Sequence, residues 1–263
     1  MTAAWVVGGA SVRGAAHRRR DLPNQDAIAW LPQEGAAEHF VAAVSDGHGA
    51  AAHPLSDVGS RLAVAAASAV LDWHLTEGGD AHALAGQVLD AWRAAVGRHA
   101  AASVPAGDWV EPAGDKLLPY GATLLGVAAT GQGAVALQIG DGDLLLGYPD
   151  GRLERPLPDD AELVGEQTYS LCSPDALLRF RVAVVPARPG SPPPDFALLS
   201  TDGISKSFPD EAAFRAVAGH YRTALLTAGP EAVLRGLPGW LDEVSQRGSG
   251  DDVTLCLAVR RGA

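Results

Sequence analysis

The sequence is short of several things, and each shortage excludes a class of protein. Only two cysteines, Cys172 and Cys256, occur in 263 residues, with no CxxC and no Cys/His cluster. That excludes a disulfide framework and a structural zinc site, and it fits a reducing cytosol. Basic residues are outnumbered, 20 against 31 acidic ones, for a net charge of −11. Such a balance repels a nucleic-acid backbone and an anionic lipid surface, so neither is an expected partner. No apolar run reaches the ~18 residues needed to span a bilayer, and MTAAWVVGGASVRG lacks the basic and apolar regions of a signal peptide. The expectation is a soluble, cytoplasmic protein. An acidic protein can still act on phosphate when metal ions stand between its carboxylates and the substrate.

What is present is a core. With 47% hydrophobic and 19% charged residues the chain is globular. Strand patterns run at Trp5 to Gly8, Ala27 to Leu31 and Phe40 to Val44. Leu55, Val58, Leu62, Ala66, Ala69 and Trp73 then recur at helical spacing, as do Leu84, Val88, Trp92 and Ala95 after Gly78-Gly79. Strands return at Thr123 to Ala129, Ala134 to Ile139, Leu144 to Tyr148, Leu177 to Val185 and Phe196 to Leu199. Helices are predicted near Pro209 to Ala218 and Pro230 to Gln246, with Pro238 kinking or splitting the second. A last strand alternates through Val253, Leu255, Leu257 and Val259. Ser103 to Pro119 is irregular, and Arg152 to Asp175 reads as a loop or flap. The proline-rich connector around Gly190 is too short to divide domains, so residues 1–263 are taken as one. The order suggests an α+β layered fold.

Several strands end in Asp-Gly. FVAAVSDGHGA delivers Asp46-Gly47, VALQIGDG delivers Asp141-Gly142, and FALLSTDG delivers Asp202-Gly203. Asp-Gly is the favoured pair of a two-residue hairpin, and Asp150-Gly151, between two strand-like runs, is read as one. The other three differ. Asp46-Gly47 precedes a helix, and Asp202-Gly203 leads toward helix-start signals with Ser207 as a candidate cap. Asp251-Asp252 stands before the final strand, and Asp26 before the second. Carboxylates gathered from distant positions repel one another unless a cation neutralises them. Oxygen-only ligands select Mg²⁺, Mn²⁺ or Ca²⁺. Asp46, Asp202 and Asp251, with Asp26 nearby, read as a two-metal site; solvated turn aspartates that never meet are the plain alternative.

PNQDA, VSDGHGA, YGATLLGV, IGDGDLLL, STDGISKSF and SGDDVTLCLA resemble, in that order, the motifs of the type 2C metal-dependent protein phosphatases, most closely the compact bacterial branch. The resemblance runs from Pro23 to Ala258. It implies a four-layer α-β-β-α sandwich: two central antiparallel sheets flanked by helices, with the metals at one end. It also implies a serine/threonine phosphoprotein phosphatase using two ions of Mn²⁺ or Mg²⁺ per chain to activate a water, with no phosphoenzyme. Carried over residue by residue, Asp46 bridges both ions and the Gly47 carbonyl binds one of them. Asp202 and Asp251 hold one, and Asp26 reaches it through water. His48 corresponds to the family's general acid, suited by its neutral pKa range. Gly121-Ala122-Thr123 is read as packing beneath the site.

Three departures from the pattern matter. Where relatives place a phosphate-binding arginine, five residues before Asp26, this chain has Asp21. Arg20 is next to it and is the candidate phosphate ligand, against a reading of HRRR as a solvated basic loop. Asp141 fills the first position through which some relatives bind a third ion, but the second, four residues beyond Asp202, is Lys206. The third ion is therefore expected to be weak or absent. Asp251-Asp252 replaces the usual Asp-Asn, with Asp251 taken as the ligand and Asp252 as the alternative register. Expected partners are phosphoprotein substrates, with a Ser/Thr kinase as a candidate, and the expected state is a monomer. Competing functions are a small-molecule phosphomonoesterase, a pseudophosphatase that binds phosphoproteins without turnover, and a Ca²⁺-binding domain, which lacks a full EF-hand loop.

Overall fold

The computed structural model describes residues 3–103, 116–158, 168–187, 190 and 192–262. One antiparallel sheet contains β1 (Ala4–Val12), β6 (Asp143–Gly147), β7 (Leu153–Glu154), β9 (Phe196–Ser200) and β10 (Val253–Arg261), in the order β1-β10-β9-β6-β7. The other contains β2 (Ala27–Leu31), β3 (Phe40–Ser45), β4 (Leu124–Thr130), β5 (Gly133–Ile139) and β8 (Arg181–Pro186), in the order β2-β3-β4-β5-β8. Long helices α2 (Ser56–Glu77) and α3 (Leu84–Ser103) cover the second sheet, and α6 (Glu211–Thr227) and α7 (Pro230–Arg247) cover the first. Three short helices, α1 (Ala15–Arg20), α4 (Ala176–Arg179) and α5 (Asp202–Ser205), lie in connections. The four-layer sandwich is the one expected.

Burial on both faces explains the apolar strands. In β3, Phe40, Ala42 and Val44 enter the layer between the sheets, while Val41 and Ala43 face α2. In β10, Leu255, Leu257 and Val259 pack toward α6 and α7, and the small Cys256 and Ala258 face the other sheet. Each strand is therefore a near-continuous apolar run with both sides dry. Trp5 and Phe40, ring centroids 4.6 Å apart, fill one region of the inner layer. The many alanines elsewhere in that layer let the two sheets close together.

The structure departs from the sequence reading in four places. The buried face of α2 runs through Gly59, Ala63, Ala67 and Leu71, whereas Trp73 is half exposed. Small residues let that face approach the sheet, so the closest contact is not where the bulkiest residues lie. Residues 176–179 are helical and the strand begins only at Arg181. Pro238 does not split α7, because it sits on the exposed side while Leu237 and Leu241 anchor the turns around it. Ser207 does not cap α6. Asp210 does, its Oδ1 accepting from Ala213 N at 2.8 Å, while Ser207 Oγ donates to the Gly203 carbonyl. Asp150-Gly151 is the hairpin turn expected, with Gly151 at φ 90°. Much of the Arg152 to Asp175 flap, and of the irregular run after Ser103, falls outside the described residues.

Antiparallel pairing carries distant residues to one end of the sandwich. Ala27 pairs with Ser45, Leu125 with Val44, and Leu124 with Ile139. In the other sheet Ser200 pairs with both Leu255 and Asp143, and Val12 with Val253. The residues flanking these pairs are Asp26, Asp46, Asp141, Asp202 and Asp251-Asp252.

Two glycines at helix positions test this packing. A Cβ on Gly59 would lie 2.0 Å from the Tyr120 carbonyl oxygen, whereas one on Gly97 in α3 would meet nothing within 4 Å. Gly59→Ala should lower unfolding free energy by about 2 kcal/mol or more through overpacking. Gly97→Ala should raise it by about 0.5–1 kcal/mol through helix propensity. Urea midpoints measured side by side decide the matter.

Candidate metal centre

Asp46 follows β3 directly, and its peptide is pinned on both sides. Its N–H donates to Thr123 Oγ1 at 3.0 Å, and its carbonyl accepts from Thr123 N at 2.8 Å. Ser45 Oγ donates to the Thr123 carbonyl. The Gly121-Ala122-Thr123 segment thus lies beneath the site, as expected. Gly47 N donates to the Gln25 carbonyl and His48 N to that of Gly121. These bonds hold the backbone and leave the Asp46 carboxylate to the cleft.

The glycines of the Asp-Gly pairs answer a different need from that of a turn. Neither Gly47 nor Gly203 has positive φ. A Cβ on Gly47 would lie 2.7 Å from the carbonyl oxygens of Gln25 and Ser56, and one on Gly203 2.2 Å from that of Asp252. Glycine is required because other backbone passes behind each acidic residue. This, rather than access for a cation, is what the geometry shows for Gly47.

A cavity of about 900 Å³ is lined by Asp46, Gly47, His48, Asp141, Asp202 and Asp251 together with Arg20 and Lys206. Every predicted site residue except Asp26 is in that lining. Asp26 is buried beneath it, its Oδ2 accepting from Thr201 Oγ1 and Thr254 Oγ1, each at 2.7 Å. The Asp251 and Asp252 side chains part company. Asp251 lines the cavity, about half exposed, with Oδ1 accepting from Asp252 N. Asp252 is buried and accepts from Gly14 N and Gln25 N, each at 2.6 Å, with His17 Nδ1 at 2.8 Å. Its carboxylate is consumed by structure.

The electrostatics are those of crowded like charge. Loss of solvent, then repulsion from Asp26, Asp202, Asp251 and Asp141, holds the Asp46 carboxyl well above the usual carboxylate range. Burial does the same to Asp26, opposed by its two threonine hydroxyls. Asp141 is pushed up to about 6 by burial and Asp202, although Thr168 Oγ1 donates to it at 2.9 Å. Burial and Asp202 also raise Asp251. One ammonium answers this charge directly: Lys206 Nζ meets Asp202 Oδ2. His48 is driven the other way, to about 4, by burial and by His53, whose ring centroid is 5.1 Å away.

Among the described residues no three acidic, imidazole or thiolate side chains are already closed around one point. The donor set nonetheless fits hard divalent cations. It is all oxygen, and desolvated carboxylates in mutual repulsion gain most from a cation of high charge. Asp46, Asp202, Asp251 and the Gly47 carbonyl are the groups available to hold such ions.

Sequence reasoning missed His17 and His53. His17 joins Asp252 to the cavity wall, and its pKa is raised chiefly by its hydrogen bond to Asp252. His53 Nδ1 lies 2.5 Å from the Leu118 carbonyl oxygen, beside His48. The HRRR run, read as loop or phosphate site, forms α1. Asp252 and Ser245 Oγ bind the start of this helix through Gly14 N and Ala15 N, and Arg20 ends it on the cavity.

The sandwich of two antiparallel sheets flanked by helices is a fold that solved phosphatases share. The catalytic domain of the serine/threonine phosphatase PstP in complex with two manganese ions superposes with a TM-score of 0.58 at 22% identity, covering 99% of this chain and 100% of that one. PppA of Pseudomonas aeruginosa gives 0.61 at 22%, with 99% and 100% coverage. RsbX in complex with magnesium gives 0.56 at 14%, with 99% and 98% coverage. No curated protein matches the chain by sequence. The protein phosphatase 2C family model matches residues 13–242, and the chain belongs to that family.

Two outcomes follow from the geometry. Asp252→Ala leaves one buried and one part-buried peptide donor without their acceptor and should destabilise the fold by about 2–3 kcal/mol. Asp251→Ala should change stability little, and thermal melts of the metal-free variants compare them. His48 gives a pH signature. The unfolded imidazole titrates near 6.5 and the folded one near 4, so the unfolded chain gains a proton first as pH falls between these values. Stability contributed by His48 is therefore lost on acidification through that window. Between pH 7 and 4, His48→Asn should lose about 3 kcal/mol less than wild type in urea unfolding.

Proposed function

We propose that the chain is a serine/threonine phosphoprotein phosphatase that hydrolyses phosphomonoesters at a two-ion Mn²⁺ or Mg²⁺ centre. The observation that carries this reading is the convergence of Asp46, Asp141, Asp202, Asp251, His48 and Arg20 on one cavity. Asp46, Asp202, Asp251 and the Gly47 carbonyl would hold the ions, with Asp26 acting from behind. When bound, such ions supply Lewis acidity and a water of lowered pKa. That relatives are solved with manganese or magnesium supports the choice of ion.

The chain's own residues account for the rest. The pinned peptides of Asp46 to His48 hold the reacting groups on rigid strand ends, which limits reorganisation during the reaction. Arg20, at the end of α1, offers a planar guanidinium to phosphoryl oxygens. His48 is neutral in the free protein at neutral pH. A phosphoryl dianion beside it raises its proton affinity, so it protonates with substrate bound and can then donate to the departing alcohol oxygen. No side-chain nucleophile is needed. Phosphoprotein substrates follow from this reading, with a Ser/Thr kinase as the opposing activity.

Phosphate release from a phosphothreonine peptide, with Mn²⁺, with Mg²⁺ and with chelator, tests the proposal. Turnover should require the metal, and Asp202→Ala should abolish it. Asp251→Ala should cut turnover by roughly a hundredfold or more. Ions bound by calorimetry without peptide turnover would sink the phosphoprotein assignment.

A further inference from the structure

Resting on the two-ion reading, we propose that Lys206 is a resident counter-ion of the cleft. It holds Asp202 until a divalent cation takes that carboxylate, and it is then released toward the phosphoryl group of the substrate.

The placement comes from helical spacing. Asp202 opens α5 and Lys206 is its C-cap, four residues on, so the two side chains share a face. Lys206 Nζ contacts Asp202 Oδ2, and the same ammonium interacts next with Asp141 and Asp46. It therefore stands where positive charge is most wanted.

The two partners differ in freedom. The Asp202 side chain is 10% exposed and the Lys206 side chain 51%. Asp202 is held by the fold, whereas the lysine is a compact, strongly hydrated point charge on a flexible stem. An ion pair of that kind exchanges readily when a stronger cation competes for the carboxylate.

Charge balance says where the ammonium goes. Four carboxylates line the cavity: Asp46, Asp141, Asp202 and Asp251. Two divalent ions neutralise all four. Lys206 and Arg20, the lysine and arginine of the same lining, then become surplus positive charge. A phosphoryl dianion is the ligand that such a cleft attracts. Lys206 would thus oppose metal binding and favour substrate binding, opposite effects that a merely structural residue does not produce.

The test titrates Mn²⁺ into metal-free wild type and Lys206→Met by calorimetry, then measures KM for the phosphothreonine peptide and inhibition by inorganic phosphate. Lys206→Met should bind Mn²⁺ roughly tenfold more tightly, because one charge-assisted competitor is gone. Its KM and its phosphate inhibition constant should both rise severalfold, and Lys206→Arg should restore both. Lys206→Gln serves as the second variant should the methionine fail to fold. Equal Mn²⁺ affinity in wild type and variant overturns the counter-ion. Tighter Mn²⁺ binding with unchanged KM and phosphate inhibition overturns the release toward substrate. Wild type that binds no Mn²⁺ overturns the two-ion reading itself, a result distinct from either.

Discussion

Repulsion between desolvated carboxylates is the constraint around which this protein is organised. Asp26, Asp46, Asp141 and Asp251 are each harder to ionise than an aspartate in water, because burial and their neighbours act together. A chain free to relax would spread them apart. Two sheets covered on both faces prevent that, since moving the ends of β3, β9 or β10 means shifting a strand packed on both sides.

The scaffold handles its acids in two ways, and the difference separates structure from chemistry. At Asp46 the hydrogen bonds go to the peptide, through Thr123, and the carboxylate is left uncommitted. At Asp252 they go to the carboxylate, which ties α1 and the approach to β2 onto the end of β10. Asp26 is intermediate: two threonine hydroxyls take one oxygen. Adjacent aspartates at 251 and 252 thus carry different duties, and only the fold tells them apart.

Much of this was legible in the sequence. Apolar runs ending in Asp-Gly named β3, the loop after β5, and β9, and the aspartates at those ends do converge. The element order and a layered α+β fold were legible because strands buried on both sides leave little else for Val, Leu and Ala runs to be, whereas the four-layer sandwich came with the family resemblance. The face of α2 was not legible. Its periodicity offered Trp73, whereas contact is made by Gly59, Ala63 and Ala67, whose smallness carries no hydrophobic signal. Likewise, the need for glycine at 47 and 203 comes from backbone of other segments passing behind, which no local pattern encodes. His17 was read only as part of the HRRR run and His53 lies outside the motifs; the contacts of both at the cleft come only through tertiary packing.

The pairing of β1 with β10 has a consequence for assembly. The first strand of the fold has its ladder partner in the last, from Ala4 opposite Arg261 to Val12 opposite Val253. β10 in turn separates β1 from β9. During synthesis, β1 waits without a sheet neighbour until β10, the strand that follows α7, has emerged. Asp251 and Asp252 arrive in the same final segment. The acidic cleft is therefore completed only when β10 joins the sheet and gives α6 and α7 their packing surface. This order spares the nascent chain a long exposure of crowded charge, at the expense of leaving one strand edge open until β10 pairs with it.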